Sequence, residues 1–238
     1  PLEALKAQAI LARTFVLKFI QEKESRYPGA DISTDIEEAQ AYEPAAVNER
    51  IEQAVEETRG LVLSSGGELP YAWFHAHSGG QTALAEEGLD YKDGEPPYTR
   101  SVAGMEDDNA DEEAAQWEAS FPAAQVLKAA QQTGASGNQL TEISVAERGE
   151  SGRATRLSVN GKAVSAAAFR IALGSTEMRS TLIDSITFSD GRVVISGRGY
   201  GHGVGMSQWG AYAMAQDGER AQDIVLHYFQ NVEIVPLW

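Results

Sequence analysis

Three absences narrow what this chain can do. It contains no cysteine, which excludes disulfide bonds, thiolate metal sites and cysteine nucleophiles. No apolar run approaches the roughly 20 residues that a membrane-spanning helix needs. Lysine and arginine nowhere cluster, and a basic cluster is what displaces counterions from nucleic-acid phosphates. The sequence therefore predicts a protein that binds no nucleic acid and has no transmembrane segment within these residues.

Basic residues are also scarce relative to acidic ones, and unevenly so. The chain has 19 Lys and Arg against 35 Asp and Glu, a net charge of −16. Residues 1–120 hold 9 basic and 25 acidic side chains, whereas residues 121–238 hold 10 of each. The densest acidic run, Glu106–Glu113, lacks the central glycine and the distal glutamate of a calcium loop. We interpret this run as a solvated loop.

Hydrophobic periodicity predicts six helices. In the first, apolar residues recur in steps of three and four from Leu2 to Phe19, and Pro28-Gly29 ends the pattern. The other predicted helices lie at 45–59, 121–132, 165–173, 206–217 and 222–229.

Alternating and β-branched stretches predict strands between these helices. Residues 61–63 and 71–74 are predicted to form a hairpin. Further strands are predicted at 143–147, 155–159 and 193–196, with Asn160-Gly161 and Asp190-Gly191 as hairpin turns. Because helices and strands do not alternate regularly, we predict an α+β fold with mixed or antiparallel sheets and packed helices.

The strongest chemical signal is the glycine-rich segment 197–211. Its alternate glycines remove side chains from an extended chain, so that a ligand or another backbone can approach closely. His202 stands among them, and Ser207-Gln208-Trp209 follows where a helix is predicted to begin. Free N–H groups at a helix start, a stacking ring and an amide are groups that sugars require. The alternative is a glycine-rich turn packed on a sheet, with His202 merely hydrogen-bonded.

A second candidate site follows the predicted strand 71–74. His75 and His77 would share one strand face, so both could bind a metal ion with His202 as third ligand. The favoured alternative is that one histidine lines a cleft and the other bonds locally. Ser78 could pair with His75 or His202 as a nucleophile, but no G-x-S-x-G turn surrounds it.

Four segments carry a family resemblance: residues 2–15, 75–82 (His-Ala-His-Ser-Gly-Gly-Gln-Thr), 169–181 and 199–211. Together and in this order they resemble the SpoIID/LytB family. The first resembles its opening helix signature, the second its S-x-S-G-G-x-T segment, and the third its FR…LG…LRST stretch. The fourth matches G-x-G-H-G-V-G-M-S-Q-[YW]-G-A almost letter for letter. The resemblance spans residues 2 to about 232.

The resemblance implies an enzyme that acts on peptidoglycan. Members with an assigned activity are lytic transglycosylases, which cut the MurNAc–GlcNAc bond without water and leave a 1,6-anhydro sugar. One carboxylic acid performs both proton transfers, and no metal or organic cofactor is required. The resemblance implies the following substrate-binding residues: His75, Ser78, Gly79, Gly80, Gln81, His202, Ser207, Gln208 and Trp209.

The resemblance also bears on the charged residues. The family's catalytic glutamate belongs to an E-M-P triplet just before the opening helix signature, so we expect it ahead of Pro1. Glu3 matches a later glutamate of that signature and is only a weak substitute. Arg13, Arg170 and Arg179 recur in the matched motifs, and we expect them to form buried ion pairs.

Some family members bind zinc in an H-x5-C-x4-H-C loop. The aligned positions in this chain are Tyr27, Ser33, Glu38 and Ala39. None of the four is a family ligand, so we expect no metal there.

We therefore predict one SpoIID-like domain over residues 1–238 with two lobes around a glycan cleft. Residues of about 1–110 with 197–238 would form one lobe, and about 111–196 the other. The expected partner is the glycan strand of peptidoglycan, and the expected location is the cell envelope after export. The alternative is a non-catalytic glycan-binding module that enhances a partner cell-wall amidase. An E-M-P triplet ahead of Pro1 would favour the enzyme.

Overall fold

A computed structural model describes residues 1–34 and 43–237. The helices are α1 (Leu2–Glu22), α2 (Glu49–Glu57), α3 (Ala85–Leu89), α4 (Glu112–Ala115), α5 (Ala123–Gln132), α6 (Ala166–Leu173), α7 (Gln208–Gln216) and α8 (Ala221–Tyr228), with a 3-10 turn at Pro44–Ala46. The strands are β1 (Leu61–Ser64), β2 (Phe74–His75), β3 (Gln116–Pro122), β4 (Ile143–Arg148), β5 (Ala154–Val159), β6 (Lys162–Ser165), β7 (Ile183–Ser189), β8 (Arg192–Arg198), β9 (Met206–Ser207) and β10 (Glu233–Pro236). The predicted α+β class with antiparallel and mixed sheets is confirmed.

The chain divides into two compact units, of which the first comprises residues 1–73 and 214–238. Helix α1 packs there against α2, β1 and α8. The prediction of the buried face of α1 is wrong: of the stripe Leu2, Leu5, Ala9, Ala12, Val16 and Phe19 only Phe19 is buried. The face that is buried is formed by Ala7, Ile10, Leu11, Thr14 and Phe19, and the helix ends at Glu22, several residues before Pro28. Strand β1 pairs antiparallel with β10, so the predicted hairpin with residues 71–74 is wrong. The buried hydroxyl of Thr14 accepts a hydrogen bond from Leu63 N at 2.9 Å and thereby ties α1 to β1.

The second unit comprises residues 74–213. It contains two three-stranded antiparallel sheets, β3-β8-β7 and β4-β5-β6, on which α5 and α6 pack. The predicted turns at Asn160-Gly161 and Asp190-Gly191 are confirmed. Both residues of each pair have positive φ, near +51° and +74°, which matches the twist of a two-residue hairpin. The third sheet is the short parallel pair β2-β9.

The apolar core of the second unit lies between the sheets and the two helices. Its fully buried members include Leu157, Phe169, Val193 and Ile195. Strands β3 and β7, which supply part of this core, were not predicted, although β3 alternates regularly with Trp117, Ala119 and Phe121 inward. In β7 a register shift between Ile183 and Ser185 interrupts the alternation. The proposed lobe boundaries and the glycan cleft stay predictions. No helix within residues 1–34 and 43–237 is both long and apolar enough to span a membrane.

The prediction of buried ion pairs for three arginines is wrong. Arg13 donates to the carbonyl oxygens of Thr58 and Leu61 at 2.9 and 2.7 Å. Arg170 is buried and also donates to backbone carbonyls, among them Met178 O at 2.9 Å. Arg179 does meet a carboxylate, that of Glu113 at 3.2 Å, but that carboxylate is 86% exposed. These guanidinium groups instead satisfy carbonyls at chain turns, which strand and helix ladders leave unpaired.

Candidate functional site

The structure places the segments 75–82 and 199–211 side by side. In the parallel β2-β9 pair, Phe74 lies opposite Met206 and His75 opposite Ser207. Beyond the strands, the backbones of His77 and Tyr200 exchange two hydrogen bonds of 3.0 and 2.8 Å. Trp209 N also donates to Ala76 O at 3.0 Å. Segments about 130 residues apart in sequence therefore form one continuous backbone surface.

Glycine is required where these segments touch. A Cβ on Gly201 would lie 2.6 Å from the Cβ of His75, and one on Gly199 would lie 2.8 Å from the carbonyl oxygen of His77. Both glycines have positive φ, at +112° and +75°. Because larger residues would both clash and adopt a strained backbone, the alternate glycines of the motif are explained by this close packing.

One carboxylate joins the two motifs. Glu106 accepts hydrogen bonds from Ser78 N at 2.6 Å, from Ser78 Oγ at 2.9 Å and from Ser207 Oγ at 2.6 Å. The side chain of Glu106 is only 5% exposed, and its Oε1 lies 3.9 Å from Nδ1 of His77. The interpretation of residues 106–113 as a wholly solvated loop is therefore wrong at its first residue.

The environment of Glu106 fixes its charge. Burial alone would raise the pKa of this carboxyl, but the hydrogen bonds from Ser207 and Ser78 outweigh burial and lower it below the ordinary value. Glu106 is thus ionised at neutral pH and serves as an acceptor. A general acid needs the opposite, a pKa raised towards neutrality.

Arg153 holds the segment 75–82 from the side opposite Glu106. It is fully buried, and its guanidinium donates to Ser78 O and, at 2.8 Å, to Gln81 O. Burial lowers its pKa to about 10, which leaves the group charged at neutral pH. Glu87 lies nearby and accepts from the backbone and hydroxyl of Ser151, which in turn accepts from Arg153 at 3.1 Å. The loop around Ser78 is therefore held between an anion at its N–H side and a cation at its carbonyl side.

The histidines act locally. His75 Nδ1 lies 3.1 Å from Val204 O, a contact in which the ring nitrogen donates, and His202 Nδ1 accepts from Val204 N at 3.0 Å. Burial holds the pKa of His75 well below its ordinary value, and burial together with Arg170 and Arg153 lowers the pKa of His202 to about 3. Both rings are therefore neutral at physiological pH.

The alternative chemistries for these residues have no support in the geometry. Throughout residues 1–34 and 43–237, no three His, Asp or Glu side chains come together in a way that could hold a metal ion. Of the four aligned zinc-loop positions, Glu38 and Ala39 lie outside the described residues. Ser78 Oγ donates to Glu106, not to His75 or His202, so the nucleophile pair is wrong.

The predicted substrate-binding residues differ in exposure. His75, Ser78 and Ser207 are buried, whereas Gly80 and Gln208 are exposed. The remaining four, Gly79, Gln81, His202 and Trp209, are partly exposed. The buried members can shape the surface, and the exposed members are those that a ligand could reach.

The environment of Glu3 does not suit a proton donor. It forms an ion pair with Lys6 at 2.8 Å and accepts from Ala221 N, at the start of α8, at 2.8 Å. The hydrogen bond from Lys6, followed by that from Ala221, lowers its pKa. Glu3 therefore stabilises helix packing within the first unit.

Glu87, Glu106 and Arg153 were not found as site residues from the sequence. Glu106 begins an acidic run, a pattern typical of a solvated loop, and its partners lie 28 and 101 residues away. Arg153 and Glu87 belong to no matched motif. The sequence shows only that Glu87 and Glu106 follow the segment 75–82 within about 25 residues. Closeness in sequence does not predict that a carboxylate is buried at the site.

Comparison with known proteins places this architecture in a family. Residues 1–64 match the family model described as Stage II sporulation protein, and residues 99–205 match a domain of unknown function. The chain is 31% identical to Stage II sporulation protein D of Bacillus amyloliquefaciens, over 98% of this chain and 68% of that protein. It belongs to the SpoIID/LytB family.

Two further relatives show the range of the similarity. An uncharacterised protein of Brachyspira hyodysenteriae is 28% identical over 99% of this chain and 62% of its own length. The amidase enhancer of Bacillus subtilis is 26% identical over 98% of this chain and 38% of its own length. The chain thus spans between about two fifths and two thirds of the length of these relatives.

Proposed function

We propose that this protein has a cell-wall role in which it binds the glycan strands of peptidoglycan, and that its intact form cleaves them by lytic transglycosylation. The products would carry 1,6-anhydro-MurNAc ends. The observation that carries the proposal is the shared acceptor Glu106, which unites Ser78 and Ser207 and so displays their two loops together. Relatives named for sporulation and for amidase enhancement support a location in the cell envelope.

The exposed groups on these loops suit a sugar. Gly80 presents bare backbone and Gln208 an exposed amide, while Trp209 presents part of an indole ring. Gln81 is partly exposed, and its Nε2 donates to Ser101 Oγ at 2.9 Å, which orients its amide. Sugars are bound by such combinations of amide hydrogen bonds and ring stacking. The ring of Trp209 is itself held by an edge contact with Tyr212, whose centroid is 5.4 Å away.

The reaction needs one carboxyl that gives and then takes a proton. As an acid it protonates the leaving glycosidic oxygen, and as a carboxylate it removes the proton from the C6 hydroxyl that attacks the anomeric carbon. Glu106 and Glu3 both have lowered pKa values and are unsuited to the first step. In this proposal the acid is the glutamate that the resemblance puts ahead of Pro1, and Glu106 positions the loops that hold the strand.

The test uses the protein expressed from its complete gene. Incubation with purified glycan strands freed of peptides is expected to release fragments with anhydro ends, which mass spectrometry distinguishes from hydrolysis products by one missing water. A Trp209→Ala variant is expected to lower the rate of cleavage. Arg220→Ala is the control, because Arg220 is an exposed residue of the first unit and its loss should leave the rate unchanged. Recovery of intact glycan alone would refute the enzyme.

A second candidate is a non-catalytic module that binds glycan and enhances a partner amidase. The lowered pKa of Glu106 and the similarity to the amidase enhancer favour it. Addition of the protein to a cell-wall amidase acting on whole peptidoglycan would then speed release of stem peptides without producing anhydro ends. Equal release with and without the protein would exclude this role.

A further inference from the structure

A cavity of about 320 Å³ within the second unit adjoins the segment 75–82. One wall is the backbone of residues 79–81, which carries little side-chain bulk. Leu182 contributes apolar surface to the cavity, and Arg148, Arg198 and Asp184 contribute charged side chains. Neither the resemblance nor the family comparison assigns a role to these three charged side chains.

Arg148 supplies a fixed positive charge. Its guanidinium donates to Gly152 O at 2.7 Å and to Ile183 O at 2.8 Å, both of them neutral carbonyls. Within the part of the chain that the structure describes, Arg148 forms no ion pair with a carboxylate. Since a guanidinium has five N–H groups in a planar fork, donors remain for a ligand. The guanidinium is thus exposed but oriented by two carbonyls, and it keeps its positive charge without a carboxylate partner among the described residues.

Arg198 is paired but not saturated. Its Nε lies 3.1 Å from both carboxylate oxygens of Asp184, and one terminal nitrogen lies 3.1 Å from Oδ1. Asp184 therefore cancels one of the two positive charges, and the three side chains leave a net charge of +1. In a chain with a net charge of −16, this is a local site where an anion is favoured.

We propose that this cavity binds a carboxylate carried by the glycan strand. The proposal rests on the proposed glycan-binding function, because the motif residues 79–81 form one wall of the cavity. GlcNAc is neutral, whereas MurNAc bears a lactyl group that is a free carboxylate when no stem peptide is attached. When a peptide is attached, the lactyl group is an amide and the carboxylates belong to the peptide. Either source offers the planar anion that Arg148 is arranged to bind.

Monosaccharides test the chemistry without reference to strand cleavage. Titration with MurNAc is expected to shift the Nε–H resonance of Arg148 in the NMR spectrum, whereas GlcNAc and the methyl ester of MurNAc are not. Muramyl dipeptide distinguishes the two sources: it has lost the lactyl carboxylate but keeps one on its peptide. A shift with MurNAc alone assigns the lactyl group, and a shift with the dipeptide alone assigns the peptide. No shift with either carboxylate ligand would overturn the proposal.

Variants test the cavity on longer ligands. Arg148→Gln is expected to weaken binding of peptide-free glycan about tenfold and to leave binding of neutral GlcNAc oligomers unchanged. The matched control is Arg192→Gln. Arg192 lies at the end of β8 opposite Arg198, away from the cavity, and donates to the side chain and carbonyl of Ser120. Arg198→Gln repeats the test if Arg148→Gln fails to fold, since Arg148 also holds two carbonyls.

The outcomes separate this proposal from the one on which it rests. If wild-type protein binds both oligomers and Arg148→Gln and Arg198→Gln do not change the preference between them, the carboxylate site is refuted and glycan binding stands. If wild-type protein binds neither oligomer while MurNAc still shifts the Arg148 resonance, glycan-strand binding is refuted and the carboxylate site stands.

Discussion

The two compact units differ sharply in what they bury. Of the fifteen buried polar or charged side chains among the described residues, only Thr14 and Thr58 lie in the first unit, and thirteen lie in the second. Burying a polar group destabilises a fold unless it is hydrogen-bonded. The first unit is therefore held together mainly by apolar packing, whereas the second combines its apolar core with hydrogen-bonded polar and charged side chains buried around the two motifs.

The largest expected effect would come from removing the cation at the centre of the second unit. Arg153→Met should lower the free energy of unfolding by about 4 kcal/mol, because it leaves Ser78 O and Gln81 O without donors and Glu87 without its nearby positive charge. Urea unfolding followed by circular dichroism measures this loss.

The first unit supplies the comparison for Arg153. Thr14→Val leaves one buried amide, Leu63 N, without its acceptor and should cost about 1–2 kcal/mol. Arg156→Met, three residues further along in β5, removes a partly exposed side chain and should change stability by about 0.5 kcal/mol or less. Equal losses for Arg153→Met and Arg156→Met would show that the buried charge does not organise the second unit.

A smaller effect, with a distinctive pH dependence, is expected for Glu106→Gln. The amide cannot accept all three hydrogen bonds, so the free energy of unfolding should fall by about 2 kcal/mol at pH 7. Because the folded pKa of Glu106 is lowered, its contribution is fully present above the unfolded value of 4.5 and is lost as pH falls through the folded pKa. The difference between wild type and variant should therefore shrink below pH 4.5.

Glu112→Gln is the matched control for this measurement, since Glu112 belongs to the same acidic run but is exposed. Its stability should follow the wild type at every pH. A gap between wild type and Glu106→Gln that stays constant from neutral pH down to acid unfolding would contradict the ionised state assigned to Glu106.

The smallest effect is expected for Glu3→Gln in the first unit. The amide oxygen can still accept from Ala221 N, and only the partly exposed pair with Lys6 is lost, so the change should be about 0.5 kcal/mol. If the protein from its complete gene has the proposed glycan-cleaving activity, the rate should be unchanged. A cleavage rate that falls by more than about tenfold at unchanged stability would show that Glu3 takes part in catalysis. The first unit would then not be purely structural.

Local rules predicted much of the fold. Asn160-Gly161 and Asp190-Gly191 indicated their hairpins because two-residue turns need positive φ at both positions. Helix α6, predicted over 165–173, lies at Ala166–Leu173. The pairing of β1 with β10 did not, because periodicity identifies a strand but not its partner about 170 residues away. The short run after Pro70 consequently suggested a hairpin that does not exist.

The candidate site could be predicted only where a motif carried it. The alternate glycines indicated a close approach, and a neighbouring backbone or side chain does lie against Gly199, Gly201 and Gly203. Glu106 could not be found, because its neighbours in sequence are acidic and its burial depends on two distant serines. Arg153 could not be found either, since its carbonyl acceptors carry no side-chain signature.

The shared carboxylate has a consequence for motion. Because Glu106 accepts hydrogen bonds from both loops, departure of the Ser78 loop would remove two donors from this buried carboxylate, and departure of the Ser207 loop would remove the third. Local opening should therefore release the two loops as one cooperative unit, with neither fluctuating alone. A ligand would then meet both loops already ordered or both open. The entropic cost of ordering the loops is therefore part of folding and is not added each time a glycan strand binds.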